Sequence, residues 1–275
     1  MNQSPSQTTH LFTNRQITAM LLPLMAEQLL ITLMGMVNTF MVAHVGSYAI
    51  SAVSLVDSIN ILVIQAFYAL STGGTIVCAQ YLGQKKTGHA IRSAEQTLFI
   101  VTLISLVTAA FCILFDRQIL RLIFGTVDEE VFNSARIYFF YSSLSYPFIA
   151  LYDAGSSIFR AQKNTGFPMA MSLIANIANV IGNIILVLIL GQGVAGAAIS
   201  TLAARALCAL LVLLRLVKPR ENQPVYVANY TRIRPHMPLI RRILHIGIPA
   251  GIENSMFQFG KLAIQSSVST LGVTA

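Results

Sequence analysis

Charged side chains are scarce: Asp, Glu, Lys and Arg make up 10% of the 275 residues, against about 25% in soluble domains. A chain of this length needs a polar shell over most of its surface if water surrounds it, and so little charge cannot furnish one. Cysteine is nearly absent. Cys78, Cys112 and Cys208 stand far apart in apolar runs, which excludes a disulfide framework and any metal-ligand spacing. Nucleotide and zinc machinery is missing too. The nearest match to Gly-x-x-x-x-Gly-Lys-Ser/Thr runs from Gly83 to Gly88 but continues as His89-Ala90, so it reads as a turn. No Gly-x-Gly-x-x-Gly follows a strand, and the five histidines include no His-Glu-x-x-His. No two aspartates are close enough in sequence to hold Mg²⁺ for prenyl transfer. Alternating strands of about ten residues, the mark of a membrane barrel, do not occur.

What is abundant is apolar: 55% of residues are hydrophobic and the mean hydropathy is +0.69. About 20 apolar residues cross the ~30 Å hydrocarbon layer as a helix. Seven segments qualify: Ile17–Ala43, Ile50–Ala79, Ala94–Phe115, Ala135–Ile158, Pro168–Leu190, Val194–Val217 and Ile243–Val273. Short breaks separate them, among them Gly46-Ser47, Gly83 to Gly88, and Gly191-Gln-Gly193. The first run is too long for a signal-peptide core of ~7–15 residues, so it reads as a retained span. The chain is predicted to be an all-α polytopic membrane protein with the lipid bilayer as its surroundings.

The net charge of +8 follows topology rather than nucleic acid. With the amino terminus in the cytoplasm, 13 of the 18 Lys and Arg fall on that side, from Arg15 through Lys85, Lys86, Arg92, Arg160 and Lys163 to Arg241 and Arg242. Only Arg117, Arg121 and Arg136 fall opposite, and Arg205 and Lys261 lie within spans. The positive-inside rule thus orients the chain. Its acidic run Asp128-Glu129-Glu130 sits outside as a solvated loop.

An internal repeat sets the domain plan. Pro23-Leu-Met-Ala-Glu27 and Pro249-Ala-Gly-Ile-Glu253 share Pro-x-x-x-Glu, and Gly46 and Gly272 follow at the same 226-residue offset. A repeat that restarts after six spans crosses the membrane in the same sense, a parallel architecture known among secondary transporters. The expected organisation is an amino-terminal tail (1–14), a six-helix transmembrane lobe (15–217), a basic proline-rich linker (218–240), and the first helix of a second, repeat-related lobe (241–275). By this reading the chain is a fragment of a twelve-helix protein.

Ionisable groups at the centre of a span cost roughly 2.5–3.5 kcal/mol to insert. Glu27, Asp57 and Glu253 stand deep in their spans, whereas Glu95 and Asp153 lie nearer the ends. Glu27 and Asn38 fall within about 20° of one helix face. Polar stripes also run along Asp57, Asn60, Tyr68, Ser71 and Thr75, along Ser142, Tyr146 and Asp153, and along Ser172, Asn176, Asn179 and Asn183. Four such stripes together point to a hydrated interior. Tyr68, Tyr146 and Phe257 are candidates for stacking on a cationic substrate.

The sequence resembles the bacterial branch of the multidrug and toxic compound extrusion (MATE) family over essentially its whole length. The resemblance rests on Leu22-Pro23, Gly35-Met-Val-Asn-Thr39, Val45-Gly46, Ala79-Gln80-Tyr-Leu-Gly83 and Phe159-Arg160-Ala-Gln. It continues in Asn179-x-x-x-Asn183, Gly193-Val-Ala-Gly-Ala-Ala198 and Gly247-Ile-Pro-Ala-Gly-Ile-Glu253. It implies two six-helix lobes in a V that export small organic cations in exchange for Na⁺ or H⁺, with no enzymatic activity and no other cofactor. It further implies a multi-pass protein of the bacterial inner membrane, monomeric at full length. The family's amino-lobe ion site uses a first-helix aspartate, whose place is taken here by Asn38, and polar residues of the fifth helix. Asparagine does not titrate but offers a carbonyl to Na⁺, with Asn179 and Asn183 as companions. Glu253 matches the family's seventh-helix acid, and Glu27 is its counterpart by the repeat. The expected ion-coupling set is therefore Glu27, Asn38, Asp57, Asn176, Asn179, Asn183 and Glu253. A flippase for lipid-linked oligosaccharides, of the same superfamily, is the alternative; it would need basic residues lining its cavity, where only Arg205 and Lys261 are available.

Overall fold

The structure, a computed structural model, describes residues 14–125, 128–217, 223–228, 230 and 233–270, without the side chains of 14–17, 255, 257–259 and 261–270. Gly272 and all but the last residue of the amino-terminal tail lie outside the described residues. The elements are α1 (Asn14–Ala43), α2 (Ser47–Gly83), α3 (Thr87–Leu114), α4 (Asp116–Phe124), α5 (Glu129–Ala161), α6 (Gly166–Asn183), α7 (Gly193–Val217) and α8 (Met237–Thr270). A π-helical turn, Ile184–Ile189, extends α6. No strand occurs among the described residues, and the chain is an all-α polytopic bundle.

Each of the seven expected spans falls in a helix over its described residues. The eighth helix, α4, is short and strongly amphipathic, and it lies where sequence reading expected only a loop. Asp116 opens it, accepting from the Arg117 backbone N–H at 2.6 Å, and the second oxygen of Asp116 receives Arg136 of α5 at 2.5 Å. One end of the bundle, its basic end, carries Lys85, Lys86, Arg92, Lys163 and Arg242. The opposite end carries α4 and the acidic residues that open α5.

Five helical segments are long and apolar enough to cross a membrane: Thr18–Ala43, Ser47–Gly83, Thr87–Leu114, Gly166–Ile189 and Gly193–Val217. The segments in α5 and α8 fall short of that apolarity. For α5 the reason is its position. It packs against α2, α3 and α7 and buries Ser142, Ser143, Ser145, Ser156 and Ser157 along with Tyr138, Phe139, Tyr146 and Phe159, so neighbouring helices cover most of it and a strip with Ile137, Phe140 and Leu144 is left exposed. At the other extreme, α1 leaves Leu22, Met25, Leu29, Met36 and Phe40 more than 60% exposed, a surface suited to acyl chains. All three cysteines are buried and free.

Two contacts join α8 to the first bundle. Ala69-x-x-x-Gly73 of α2 crosses Gly247-x-x-x-Gly251 of α8 with backbone against backbone. A Cβ on Gly73 would stand 2.5 Å from the Ile243 carbonyl oxygen, and one on Gly247 would stand 3.0 Å from that of Ala69. Such small-residue crossings let membrane helices approach closely. Beyond the crossing an apolar groove of about 440 Å³ opens between Ala66, Leu70, Ile248, Ile252 and Met256. Arg242 supplements the contact near the basic end, bonding Gln80 Oε1 at 2.7 Å and lying over the Tyr81 ring.

The second contact is the linker. Its described part is a strap against the first bundle, with Val225 and Val227 fully buried. The Gln162 amide donates to the Val225 carbonyl and accepts from the Val225 N–H. The Gln96 amide donates to the Arg234 carbonyl and accepts from the His236 N–H. The strap ends at His236 rather than at 240, because Pro238 sits in the first turn of α8, where no backbone donor is needed.

Candidate functional site

Polar side chains gather inside the bundle in three clusters. The first joins α1, α6 and α7 toward the opposite end. The Asn183 amide donates to Asn38 Oδ1 at 2.7 Å and to Asn179 Oδ1 at 3.1 Å. Asn179 donates to Thr201 Oγ1 at 3.2 Å and, through its backbone carbonyl, accepts from Ser200 Oγ at 2.7 Å. Gly182 makes this approach feasible, since a Cβ there would meet Ser200 Oγ at 2.4 Å. The π turn begins directly after Asn183; such turns are frequent at functional sites. Asn176 stands apart, donating to the Ser172 carbonyl of its own helix.

This first cluster lacks the charge that binding a bare cation calls for. Hard cations are held by several oxygens, usually with carboxylates among them. Here the Asn38 and Asn179 oxygens already accept from Asn183, and only Asn183 Oδ1 is buried without a partner. Among the described residues no three His, Cys, Asp or Glu side chains group as a metal site. The donor set does not match Na⁺.

The second cluster joins α2, α5 and α7. Asn60 donates to Asp57 Oδ1 at 3.1 Å, and Tyr138 lies 3.4 Å from the same oxygen. Asn60 also reaches Ser142 Oγ at 3.3 Å, and the Tyr146 hydroxyl donates to Asn60 Oδ1 at 2.9 Å. Arg205 Nη1 donates to Ser145 Oγ at 2.6 Å. Tyr146 is fully buried, with its ring edge-on to Phe67. That enclosure corrects the expectation that it stacks on substrate, because a sealed ring offers no face. On the next face of α2, Ser51, Ser54 and Ser58 line an open groove of about 670 Å³ with Asp128.

The third cluster lies toward the basic end. Glu27 is 3% exposed; its Oε1 accepts from Arg160 Nη2 at 2.7 Å and from the Tyr152 hydroxyl at 3.2 Å. Tyr152 and Arg160 belong to the last three turns of α5, so Glu27 sits toward that end of the bundle rather than at its centre. Arg160, counted from sequence among the solvated cations of a turn, is instead turned inward and committed to Glu27. Tyr68 is 42% exposed and Glu253 is exposed, while the Phe257 side chain lies outside the described residues.

The structure therefore joins Asn38, Asn179 and Asn183, places Asp57 in a neighbouring network, and separates Glu27 from both. Sequence reading missed Tyr138, Tyr152, Arg160 and Thr201 as partners. Tyr138 was within reach: stepping back four residues from Ser142 along its stripe lands on it. Arg160 gave no such sign, since a cation one residue from a helix end resembles any topology signal.

Comparison with known proteins places this architecture. The MatE family pattern matches residues 23–185, more than half of the chain. The sequence is 26% identical to the probable multidrug resistance protein NorM of Thermotoga maritima, over 95% of this chain and 56% of that protein. It is 27% identical to the multidrug export protein MepA of Staphylococcus haemolyticus, over 91% of this chain and 55% of that protein. The chain thus spans about half the length of the relatives it matches. Among solved structures, MATE in the straight conformation superposes with a TM-score of 0.84 at 20% identity, covering 94% of this chain and 57% of the other. An outward-facing MATE transporter of the MOP superfamily gives 0.80 at 21%, covering 91% and 56%; at such identities the likeness shows the fold alone. By the match to its pattern, the chain belongs to the MatE family.

Proposed function

We propose that the protein carrying this chain is a secondary antiporter of the bacterial inner membrane that exports small organic cations against a cation gradient. The carrying observation is the hydrogen-bonded carboxylate Asp57, held by Asn60 and Tyr138 inside an apolar helical bundle. A group so expensive to insert marks an ion or proton path in membrane proteins. The relatives' names, multidrug resistance and multidrug export, support the substrate class.

In this reading Asp57 and Glu253 carry the coupling ion, H⁺ being favoured by the charge-poor amide cluster. Asn38, Asn179 and Asn183 hold α1, α6 and α7 in register, and Tyr68 meets the substrate. The amino terminus lies in the cytoplasm, the full-length protein is a monomer, and no bond of the substrate is broken. Dye efflux from vesicles, driven separately by a pH gradient and by a Na⁺ gradient, tests the proposal. Efflux under the pH gradient that is lost in Asp57→Asn supports it; equal efflux by that variant, or none under either gradient, refutes it.

A further inference from the structure

Two turns at the basic end repeat one another. Gln84-Lys85-Lys86-Thr87-Gly88 closes α2 and opens α3, and Gln162-Lys163-Asn164-Thr165-Gly166 closes α5 and opens α6, so both read Gln-Lys-x-Thr-Gly. Their main-chain bonds coincide as well. The Lys86 N–H donates to the Tyr81 carbonyl at 2.9 Å and the Lys85 N–H to that of Leu82 at 3.0 Å. In the second turn Asn164 donates to Phe159 at 3.0 Å and Lys163 to Arg160 at 2.9 Å. This is the Schellman ending of a helix, whose pivot residue takes a left-handed conformation and is usually glycine.

Here the pivot is a lysine both times. Lys85 stands at φ 59° and Lys163 at φ 63°, and among the described residues these are the non-glycine positions with positive φ. A Cβ disfavours that conformation, so glycine would suit the turn itself better. Both lysines are exposed, and burial does not account for the choice.

The charge around them is one-sided. The nearest acid in sequence is ten residues from each, Glu95 and Asp153. Glu27, which reaches the helix end at the second turn, is already paired with Arg160. An arginine from another helix joins each turn over an aromatic ring: Arg242 of α8 lies 5.3 Å from the centre of the Tyr81 ring, and Arg215 of α7 lies 5.8 Å from that of Phe167. The helices that end here are long, 37 residues for α2 and 33 for α5. At ~1.5 Å per residue each spans roughly 50 Å or more, well beyond the ~30 Å hydrocarbon layer, so the turns that close them reach the layer of lipid phosphates.

We propose that the two turns are a paired contact for anionic phospholipid, in which Lys85 and Lys163 each set a positive charge against a headgroup phosphate from a disfavoured backbone conformation. Anionic membrane surfaces attract basic residues held near them. A topology signal alone would be met by a lysine anywhere in the loop and would leave the pivot to glycine. The proposal goes beyond the antiport reading and does not depend on which ion drives transport.

The test is the melting temperature of the purified full-length protein in detergent, titrated with phosphatidylglycerol and, in parallel, with phosphatidylcholine of the same chains and with inorganic phosphate. Wild type is expected to show a saturable rise with phosphatidylglycerol that neither of the others matches. Lys85→Gly combined with Lys163→Gly is expected to melt no lower than wild type before lipid is added and to lose most of that rise. Lys85→Arg combined with Lys163→Arg keeps it, and so does Arg117→Gln combined with Arg121→Gln, which removes charge from α4 at the opposite end. Equal responses of wild type to the two lipids overturn the proposal, as does an equal rise with inorganic phosphate, which would assign the turns to a soluble anion. A glycine pair that unfolds, melts lower without lipid or keeps the full rise overturns it too. So does an arginine pair that loses the rise, or an α4 variant that loses as much as the glycine pair.

Discussion

Asn183 gives one amide hydrogen to Asn38 and so ties α6 to α1 across 145 residues of sequence. Its other hydrogen goes to Asn179. In hydrocarbon these bonds replace water that is not there.

Asn183→Leu removes both bonds and leaves the Asn38 and Asn179 oxygens unmatched. Only the bond to Asn38 joins two helices, and interhelical hydrogen bonds in membranes are worth about 0.6–2 kcal/mol, so a loss of that order is expected, read as a lower midpoint in detergent unfolding. Asn176→Leu, which touches only its own helix, is expected to cost less.

The Glu27–Arg160 pair offers a double-mutant test. Removing one partner of a buried pair costs about 3–5 kcal/mol because the other charge is stranded. Glu27→Gln and Arg160→Met are each expected to destabilise strongly, and the double variant is expected to recover most of the loss. Additive losses in an unfolding cycle would contradict this.

At Gly73, in the α2–α8 crossing, there is no room for a side chain. Gly73→Leu would drive a branched group into the Ile243 carbonyl and is expected to separate the helices, seen as lost disulfide cross-linking between cysteines introduced at Ala69 and Gly251. Gly83→Leu, where a Cβ meets nothing within 4 Å, is expected to leave cross-linking intact.

The strap is held by side-chain amides that Gln96→Leu and Gln162→Leu would abolish. Faster backbone hydrogen exchange confined to residues 223–236 is expected, with little change in α1 to α7. Two lost bonds at about 0.5–1.5 kcal/mol each set the scale for either variant.

Within the strap Tyr230 donates to the Leu213 carbonyl at 3.0 Å, and burial holds its phenol above the ordinary range. A raised phenol keeps its proton better in the folded state, so its stabilisation is complete below about pH 10 and is lost as pH rises beyond that. Ultraviolet difference titration is expected to show one fewer late-ionising tyrosine in Tyr230→Phe than in the parent protein.

Helix existence was legible because apolar runs of span length have few other destinations. The breaks were legible too: Gly191 and Gly193, named as turn residues, both take left-handed backbone conformations. What escaped was lateral arrangement. Periodicity put Asn179 and Asn183 on one face but could not show that Asn38 faces them, nor that Glu27 on nearly the same face of α1 meets a different helix. α4 escaped because its nine residues are amphipathic rather than apolar, so a search for spans passes over them. The strap escaped because prolines and charge describe a tether equally well, and a glutamine inside α3 and another just past the end of α5 give no hint of what they hold.

Those two glutamines borrow a grammar foreign to the rest of the molecule. Gln162 meets a single residue through both its N–H and C=O, as an antiparallel neighbour would, whereas Gln96 spans the carbonyl of Arg234 and the N–H of His236, as a parallel one would. Each rung is written wholly in main-chain atoms on the strap's side. The tether can therefore exchange its surface-facing side chains and still be gripped at the same places by these two amides, beside the Val227 N–H on the Leu216 carbonyl and the Tyr230 hydroxyl on the Leu213 carbonyl.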